Sequence, residues 1–287
     1  MKRLCVIGDP VGHSLSPLMH NAALEHLDLQ DKFTFEKLKV TRNGLPDFML
    51  KVRKNEFAGV SVTMPHKEAI VPLLDIQSKE AMLAQTVNTV TLAEGSLAGS
   101  HMIVGHNTDG VGCVKALETA GIRVNGQVVV LLGAGGAAKA IAISLGLNGI
   151  KELHILNRTP QAAKDVAETV RKTSDSAVEA AGLDSMEEAL ADADILINAT
   201  KVGMKGVRKK TIVQSNLIEQ HMTVFDIVYE PVETKLIRDA RKIGAMAIPG
   251  TEMLLHQGAL QFKLFTGEDA PIDVMRTALE KHLGVNR

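Results

Sequence analysis

The stretch Val128-Val129-Val130-Leu131-Leu132-Gly133-Ala134-Gly135-Gly136-Ala137-Ala138 decides the fold. Five apolar residues between Gln127 and Gly133 predict a strand buried on both faces. The Ala-rich chain after the glycines predicts a helix over 137–147. In the pattern G-x-G-x-x-G/A, Gly133 permits a tight turn and Gly135 lets backbone approach a pyrophosphate. Ala138 lets helix and strand pack closely, so the helix N-terminus faces the phosphates. Glycine turns of this form also occur without a ligand, but here a strand precedes and a helix follows.

The next strand, 152–156, ends in Asn157-Arg158-Thr159. An NAD-binding protein would offer a carboxylate to the ribose hydroxyls near this point, and none is present. Arg158 and the Thr159 hydroxyl suit the 2′-phosphate of NADP. Thr159-Pro160 also reads as the N-cap and first residue of a helix, which would leave Arg158 a solvated loop arginine.

Outward from this unit, strands and helices alternate. Strands are predicted at 4–7, 33–38 and 59–63 and a strand or hairpin arm at 89–92, with helices at 17–27 and 44–54 and a further helical stretch at 80–84. After residue 110 the pattern restarts with a helix at 112–120, the strand and helix already quoted, and a helix at 160–172. Strands at 195–197 and 223–225, a helix at 234–243 and a strand at 245–248 follow, then two helices at 251–265 and 272–283. The expected fold is α/β: two three-layer α/β domains with mainly parallel sheets. Boundaries are expected near residue 111 and near 250, with a Rossmann domain between them.

Composition narrows the function. The 287 residues carry 32 basic and 33 acidic side chains, a formal net charge of −1. That balance argues against binding driven by nucleic-acid phosphates. Seven Phe, one Tyr and no Trp make a poor stacking platform for single strands. No apolar run exceeds five residues, so no membrane-spanning helix is expected. The N-terminus reaches Gly8-Asp9 too soon for a signal peptide, and Cys5 and Cys113 lie in apolar surroundings as expected buried thiols. A cytoplasmic protein follows as the expectation. The ten His show no H-E-x-x-H or comparable spacing, and no metal is expected.

Chemistry-bearing residues gather after the predicted strands. In His13-Ser14-Leu15-Ser16-Pro17, Ser14 and Ser16 point to one side at extended spacing. Ser16 before Pro also reads as a helix N-cap, which leaves Ser14 unexplained. In Thr63-Met64-Pro65-His66-Lys67-Glu68, Pro65 should open a helix, putting Lys67 in a first turn where the helix dipole disfavours a cation. Asn107-Thr108-Asp109-Gly110 reads as a turn with Asp109 capping the next helix. Gln257 falls in line with Met253, Leu260 and Leu264, a polar group on an apolar stripe.

Together these segments resemble the shikimate dehydrogenase family, in order and over nearly the whole chain. The carrying motifs are 8–17, 62–68, Asn88-Thr89, 107–110, 133–137, 157–159, Asn198-Ala199-Thr200, Asp226-Ile227-Val228-Tyr229 and 250–257. The resemblance implies reversible, NADPH-dependent reduction of 3-dehydroshikimate to shikimate in aromatic amino-acid (chorismate) biosynthesis. It implies a first domain, 1–111 plus 250–287 with the C-terminal helices returning to it, that binds substrate, a middle domain, 112–249, that binds NADP, and a cleft between them. Lys67 and Asp109 would be catalytic, with Ser14, Ser16, Thr63, Asn88, Tyr229 and Gln257 around the substrate. Gly133, Ala134, Gly135, Gly136, Ala137, Asn157, Arg158, Thr159, Thr200, Ile227 and Gly250 would bind the cofactor. The expected partner is this small molecule, with no nucleic acid or membrane, in a monomer or homodimer.

The chain departs from the family pattern at Ser61, where Asn is usual, a change expected to loosen a loop or alter the pocket. Ala162 stands where many NADP-using members carry a second Arg, Lys201 where Pro or Ser is commoner, and Phe265 where Trp is frequent. Residues 98–102 read as an extra loop. Two alternatives stay open: a quinate/shikimate dehydrogenase using NAD, and a non-catalytic NADP-binding regulatory module. The latter would need only the second domain's motifs.

Overall fold

A computed structural model describes residues 1–95, 101–208 and 210–285. The chain divides into two compact units, 1–108 with 255–287, and 109–254.

The first unit begins with β1 (Lys2–Gly8), α1 (Ser16–His26), β2 (Phe33–Lys39), α2 (Leu45–Arg53), β3 (Gly59–Val62) and α3 (His66–Ala69). It continues with β4 (Ile76–Gln77), α4 (Lys79–Ala84), β5 (Thr89–Glu94) and β6 (His101–His106). The second holds α5 (Asp109–Thr119), β7 (Val128–Leu132), α6 (Gly136–Leu147), β8 (Glu152–Leu156), α7 (Pro160–Arg171), β9 (Ala177–Ala181) and α8 (Met186–Leu190). After these come β10 (Ile195–Asn198), β11 (Thr223–Asp226), α9 (Lys235–Ile243) and β12 (Met246–Ile248). Helix α10 (Gly250–Thr266) crosses the boundary at Leu254 and Leu255, and α11 (Ile272–Leu283) completes the first unit.

The sheet of the first unit has the order β2-β1-β3-β5-β6-β4. Strand β1 shows why it is buried twice over. Cys5 and Ile7 join Leu45, Phe48, Met49 and Val52 of α2 in one core, while Leu4 and Val6 face the other way and are equally buried. Strand β5 runs antiparallel to both β3 and β6, against the parallel order of the rest. The start of β5 therefore lies at the same sheet edge as the ends of β1, β3 and β6.

The second sheet is parallel throughout, in the order β12-β11-β10-β7-β8-β9. Counted in chain order this is 6-5-4-1-2-3, the doubly wound arrangement, whose switch point falls between β7 and β10. Its central strand β7 is fully buried.

Several local expectations change. Ser16 is not an N-cap but the first residue of α1; the cap position is Leu15. Asp109 is the first residue of α5 rather than a cap before it, so that helix belongs whole to the second unit. His101 and Met102 are paired strand residues of β6 rather than loop, and residues 98–100 lie outside the described residues.

Candidate active site

The edge where β1, β3 and β6 end and β5 begins collects most first-unit candidates, and backbone hydrogen bonds lock their loops together. The amide of Thr63 donates to Ile7 O at 2.9 Å, and that of Asp9 to Met64 O at 3.0 Å. Val62 N donates to Asn88 O at 2.7 Å, and Asn88 N to His106 O at 3.1 Å.

Lys67 lies in the four-residue helix α3, at its second position after Pro65. The preceding His66 is completely buried, with Nε2 2.7 Å from the Val40 carbonyl. A carbonyl only accepts, so Nε2 carries the proton. This bond ties α3 to the end of β2.

Ser14 and Ser16 do share a side. The Ser14 hydroxyl donates to Ser16 Oγ at 3.2 Å and accepts from the Ser16 amide at 3.3 Å. Ser14 thus accepts from the first amide of α1, whose N-cap position has no side-chain bond.

Asn88 and Asn107 are buried and hydrogen-bonded. Asn107 Nδ2 donates to the Thr86 carbonyl at 2.9 Å and hydroxyl at 2.8 Å. Asn88 Nδ2 donates to Thr108 Oγ1 at 2.9 Å, and Asn88 Oδ1 accepts from Thr108 N at 2.8 Å. A 3.5 Å contact joins Asn88 Nδ2 to Gln257 Oε1. Asp109, next in the chain after Thr108, is itself buried.

On α10 the sequence-derived stripe is off by one position. Leu264 is exposed, and the polar group buried one turn after Gln257 is Gln261, which sequence reasoning missed. Two glutamines four residues apart on a buried helix face were the signal. Nor does Ser61 loosen a loop: it is buried, and its hydroxyl donates to Gln261 Oε1 at 2.7 Å. Phe265 packs its ring on Gly59, where any Cβ would overlap it.

In the second unit the cofactor candidates lie at the carboxyl end of the parallel sheet. Gly133 has φ +113°, a region that favours glycine, and a Cβ there would stand 3.0 Å from the Ala199 carbonyl across the switch point. Gly135 is the N-cap of α6 with no side chain to fill it, and nothing lies within 4 Å of where its Cβ would be. This open helix start fits a dinucleotide pyrophosphate. Arg158 and Thr159 are exposed after β8. Thr159 is the N-cap of α7, but its side chain makes no capping bond.

Asn198 and Asp226 hold the next two loops. Asp226 accepts from Thr234 Oγ1 at 2.6 Å, Asn198 Nδ2 at 2.9 Å and Val228 N at 3.1 Å. Burial raises its carboxyl above the ordinary range, and these donors oppose the rise. The Asn198 oxygen accepts from the Thr200 hydroxyl at 2.7 Å, fixing Thr200 beside Gly133. Gly250 abuts the Ile227 and Val228 backbone so closely that no Cβ fits. Burial and neighbouring Glu230 raise the Tyr229 hydroxyl, which stays protonated.

Other titratable groups have bland explanations. Cys5 and Cys113 are buried, and burial pushes both thiols up. His20, stacked on Phe35 at 4.3 Å, is pushed down to about 3 by burial and is a neutral core residue. Glu152, His154 and Glu179 cluster on β8 and β9, but the two His154 nitrogens face different carboxylates. A cavity of about 410 Å3 beside β2 and α2, lined in part by Arg3, Lys39, Phe48, Lys51 and Phe57, includes none of the candidates. Among the described residues no helix is long and apolar enough to cross a membrane.

Fold and strand-end residues define a two-unit α/β oxidoreductase of the dinucleotide-binding class. Family models match in three consecutive parts: a shikimate dehydrogenase substrate binding domain at 6–90, shikimate/quinate 5-dehydrogenase at 115–242, and a shikimate 5′-dehydrogenase C-terminal domain at 250–280. A shikimate dehydrogenase (NADP+) of Alkaliphilus metalliredigens is 41% identical over 275 residues, covering 94% of this chain and 93% of its own. The shikimate 5-dehydrogenase of Thermus thermophilus in complex with NADP(H) and shikimate superposes with a TM-score of 0.85 at 35% identity, over 98% of this chain and 99% of that one. That of Listeria monocytogenes, in complex with shikimate and NAD, gives 0.89 at 32% identity, over 97% and 96%. The chain belongs to the shikimate dehydrogenase family.

Proposed function

We propose that this chain catalyses the reversible NADPH-dependent reduction of 3-dehydroshikimate to shikimate, a step of aromatic amino-acid biosynthesis, with Lys67 and Asp109 as its catalytic residues. The observation that carries the site assignment is the convergence of the Ser14, Thr63, Lys67, Asn88 and Thr108 loops on one edge of the first sheet, stitched by backbone hydrogen bonds and by that of the Thr108 amide to the Asn88 side chain. The first unit takes the substrate in this reading and the second takes NADP.

NADPH, when bound, supplies the hydride. The residues of the chain deal with what that leaves behind. Negative charge develops on the ketone oxygen, and the Lys67 ammonium stabilises it by hydrogen bonding and delivers a proton. Asp109, the other residue assigned to catalysis, takes part in returning the proton. The Ser14 and Ser16 hydroxyls, already paired with each other, bind the substrate carboxylate, to which Tyr229 is also assigned. Thr63, Asn88 and Gln257 bind the ring hydroxyls. Gly133, Ala134, Gly135, Gly136 and Ala137 form the pyrophosphate turn, and Asn157, Arg158 and Thr159 hold the 2′-phosphate. Thr200, Ile227 and Gly250 line the remaining cofactor path. A cytoplasmic location, where NADPH is plentiful, accords with this reading.

The test is NADPH absorbance with shikimate or quinate against NADP+ and NAD+. Turnover of shikimate with NADP+, well above that with quinate or NAD+, is the expected result. No turnover of shikimate with either cofactor overturns the proposal.

A further inference from the structure

We infer that Gln261 is a positioning residue for substrate binding, acting with Ser61 to set the direction in which Asn88 and Gln257 offer their hydrogen bonds. The inference rests on the placement of Asn88 and Gln257 in the substrate site proposed above.

Gln261 is only 2% exposed, and every polar atom of its amide is engaged. Its Oε1 accepts from the Ser61 hydroxyl at 2.7 Å. Its Nε2 donates to the Asn88 carbonyl at 3.0 Å and to Thr89 Oγ1 at 2.9 Å. The amide cannot turn over, because that would set its oxygen against the Asn88 carbonyl, which only accepts.

One fixed amide then fixes a chain of donors. Having accepted from Gln261, the Thr89 hydroxyl donates to Asn88 Oδ1 at 2.8 Å. With the Thr108 amide on the same oxygen, Asn88 is held so that its Nδ2 donates to Thr108 Oγ1 and faces Gln257 Oε1. The Gln257 amide is thereby set with its oxygen toward Asn88. The side chains assigned to the substrate are then aimed by a residue that the substrate never touches. The whole run, Ser61 to Gln261 to Thr89 to Asn88 to Gln257, is buried, where an unmatched polar atom is costly.

The test compares wild type, Gln261→Met, Ser61→Ala and Gln257→Ala by steady-state kinetics with shikimate and NADP+. Methionine keeps the volume of the side chain and removes its hydrogen bonds. For Gln261→Met the expectation is a rise in shikimate KM of about tenfold, with kcat within about twofold and the NADP+ KM unchanged. Ser61→Ala should raise the same KM by about threefold, and adding it to Gln261→Met should change nothing more. A purely structural role would lower the active fraction and leave both KM values alone. An unchanged shikimate KM in Gln261→Met, or an equal rise for NADP+, overturns the inference. Should Gln261→Met fail to fold, an unchanged shikimate KM in Ser61→Ala overturns it alone. If Gln257→Ala also leaves that KM unchanged, the site placement has failed; if Gln257→Ala raises it and Gln261→Met does not, only the positioning role has.

Discussion

The carbonyl oxygen of Lys67 accepts a hydrogen bond from the amide of Val87 at 2.8 Å, which sets the lysine beside the peptide that leads into Asn88. A short helix of four residues would not hold a side chain in place by itself. Two outside bonds do so: this one, and that of His66 to Val40. Lys67→Ala should therefore leave the fold intact and cut kcat by at least about 100-fold, with a modest change in shikimate KM. Steady-state kinetics decide it, and an unchanged kcat would remove Lys67 from the mechanism.

Arg158 stands exposed at the carboxyl end of β8 and makes no hydrogen bond or ion pair among the described residues. Its charge costs the fold nothing to lose. Arg158→Ala should raise the KM for NADPH far more than that for NADH, with melting temperature unchanged. Parallel titrations with the two cofactors measure the ratio, and equal effects would refute the phosphate assignment.

Gly110 marks where α5 meets α6. A Cβ at this position would overlap the Ala140 carbonyl and the Ser144 hydroxyl, backbone and a short side chain that have little room to yield. Gly110→Ala is expected to destabilise the protein by about 1–3 kcal/mol. Gly12, with nothing within 4 Å of its Cβ direction, is the control, and Gly12→Ala should stay within about 0.5 kcal/mol. Urea denaturation of the two variants gives the comparison.

Asp75 is held below the usual carboxylate range, chiefly by the Arg53 guanidinium and then by the Ile103 amide. The guanidinium grips both oxygens, at 2.8 and 2.9 Å, and the amide donates at 2.7 Å. A carboxylate depressed in the folded state stabilises it above the unfolded value, near pH 4, and the benefit is lost as pH falls through the folded value. Wild type should exceed Asp75→Asn in stability at neutral pH, and the gap should close below about pH 4. Urea midpoints at several pH values measure it; a gap independent of pH would mean the ion pair does not titrate as described.

Much of this arrangement could be read before any coordinates. The run Val128–Leu132 is too apolar to be half-exposed and too short before Gly133 to be a helix, so β7 and its turn followed directly. The edge of the second sheet was missed for the opposite reason. Ala177-Val-Glu-Ala-Ala consists mostly of good helix formers, and only pairing with β8 makes it a strand. The reversal of β5 was legible only as one of two readings, a strand or a hairpin arm, since a strand carries no mark of its direction. Gln261 escaped because Leu260 and Leu264 offered a more hydrophobic stripe than the one the helix buries. Leu264 faces solvent, while a glutamine with three partners takes the interior. Hydrophobicity alone could not reveal those partners, which lie about 170 to 200 residues away.

The reversed strand β5 also bears on how this chain tolerates change. Six residue pairs, from Thr89 with His106 to Glu94 with His101, separate the two ends of the β5–β6 hairpin. At about 3.4 Å per residue, the Glu94–His101 end lies well away from Asn88. Chain added or deleted between those two residues leaves the register of the ladder, and with it the pairing of Asn88 with Thr108, unaltered. The hairpin is thereby a place where lineages can lengthen or shorten the protein without touching its chemistry.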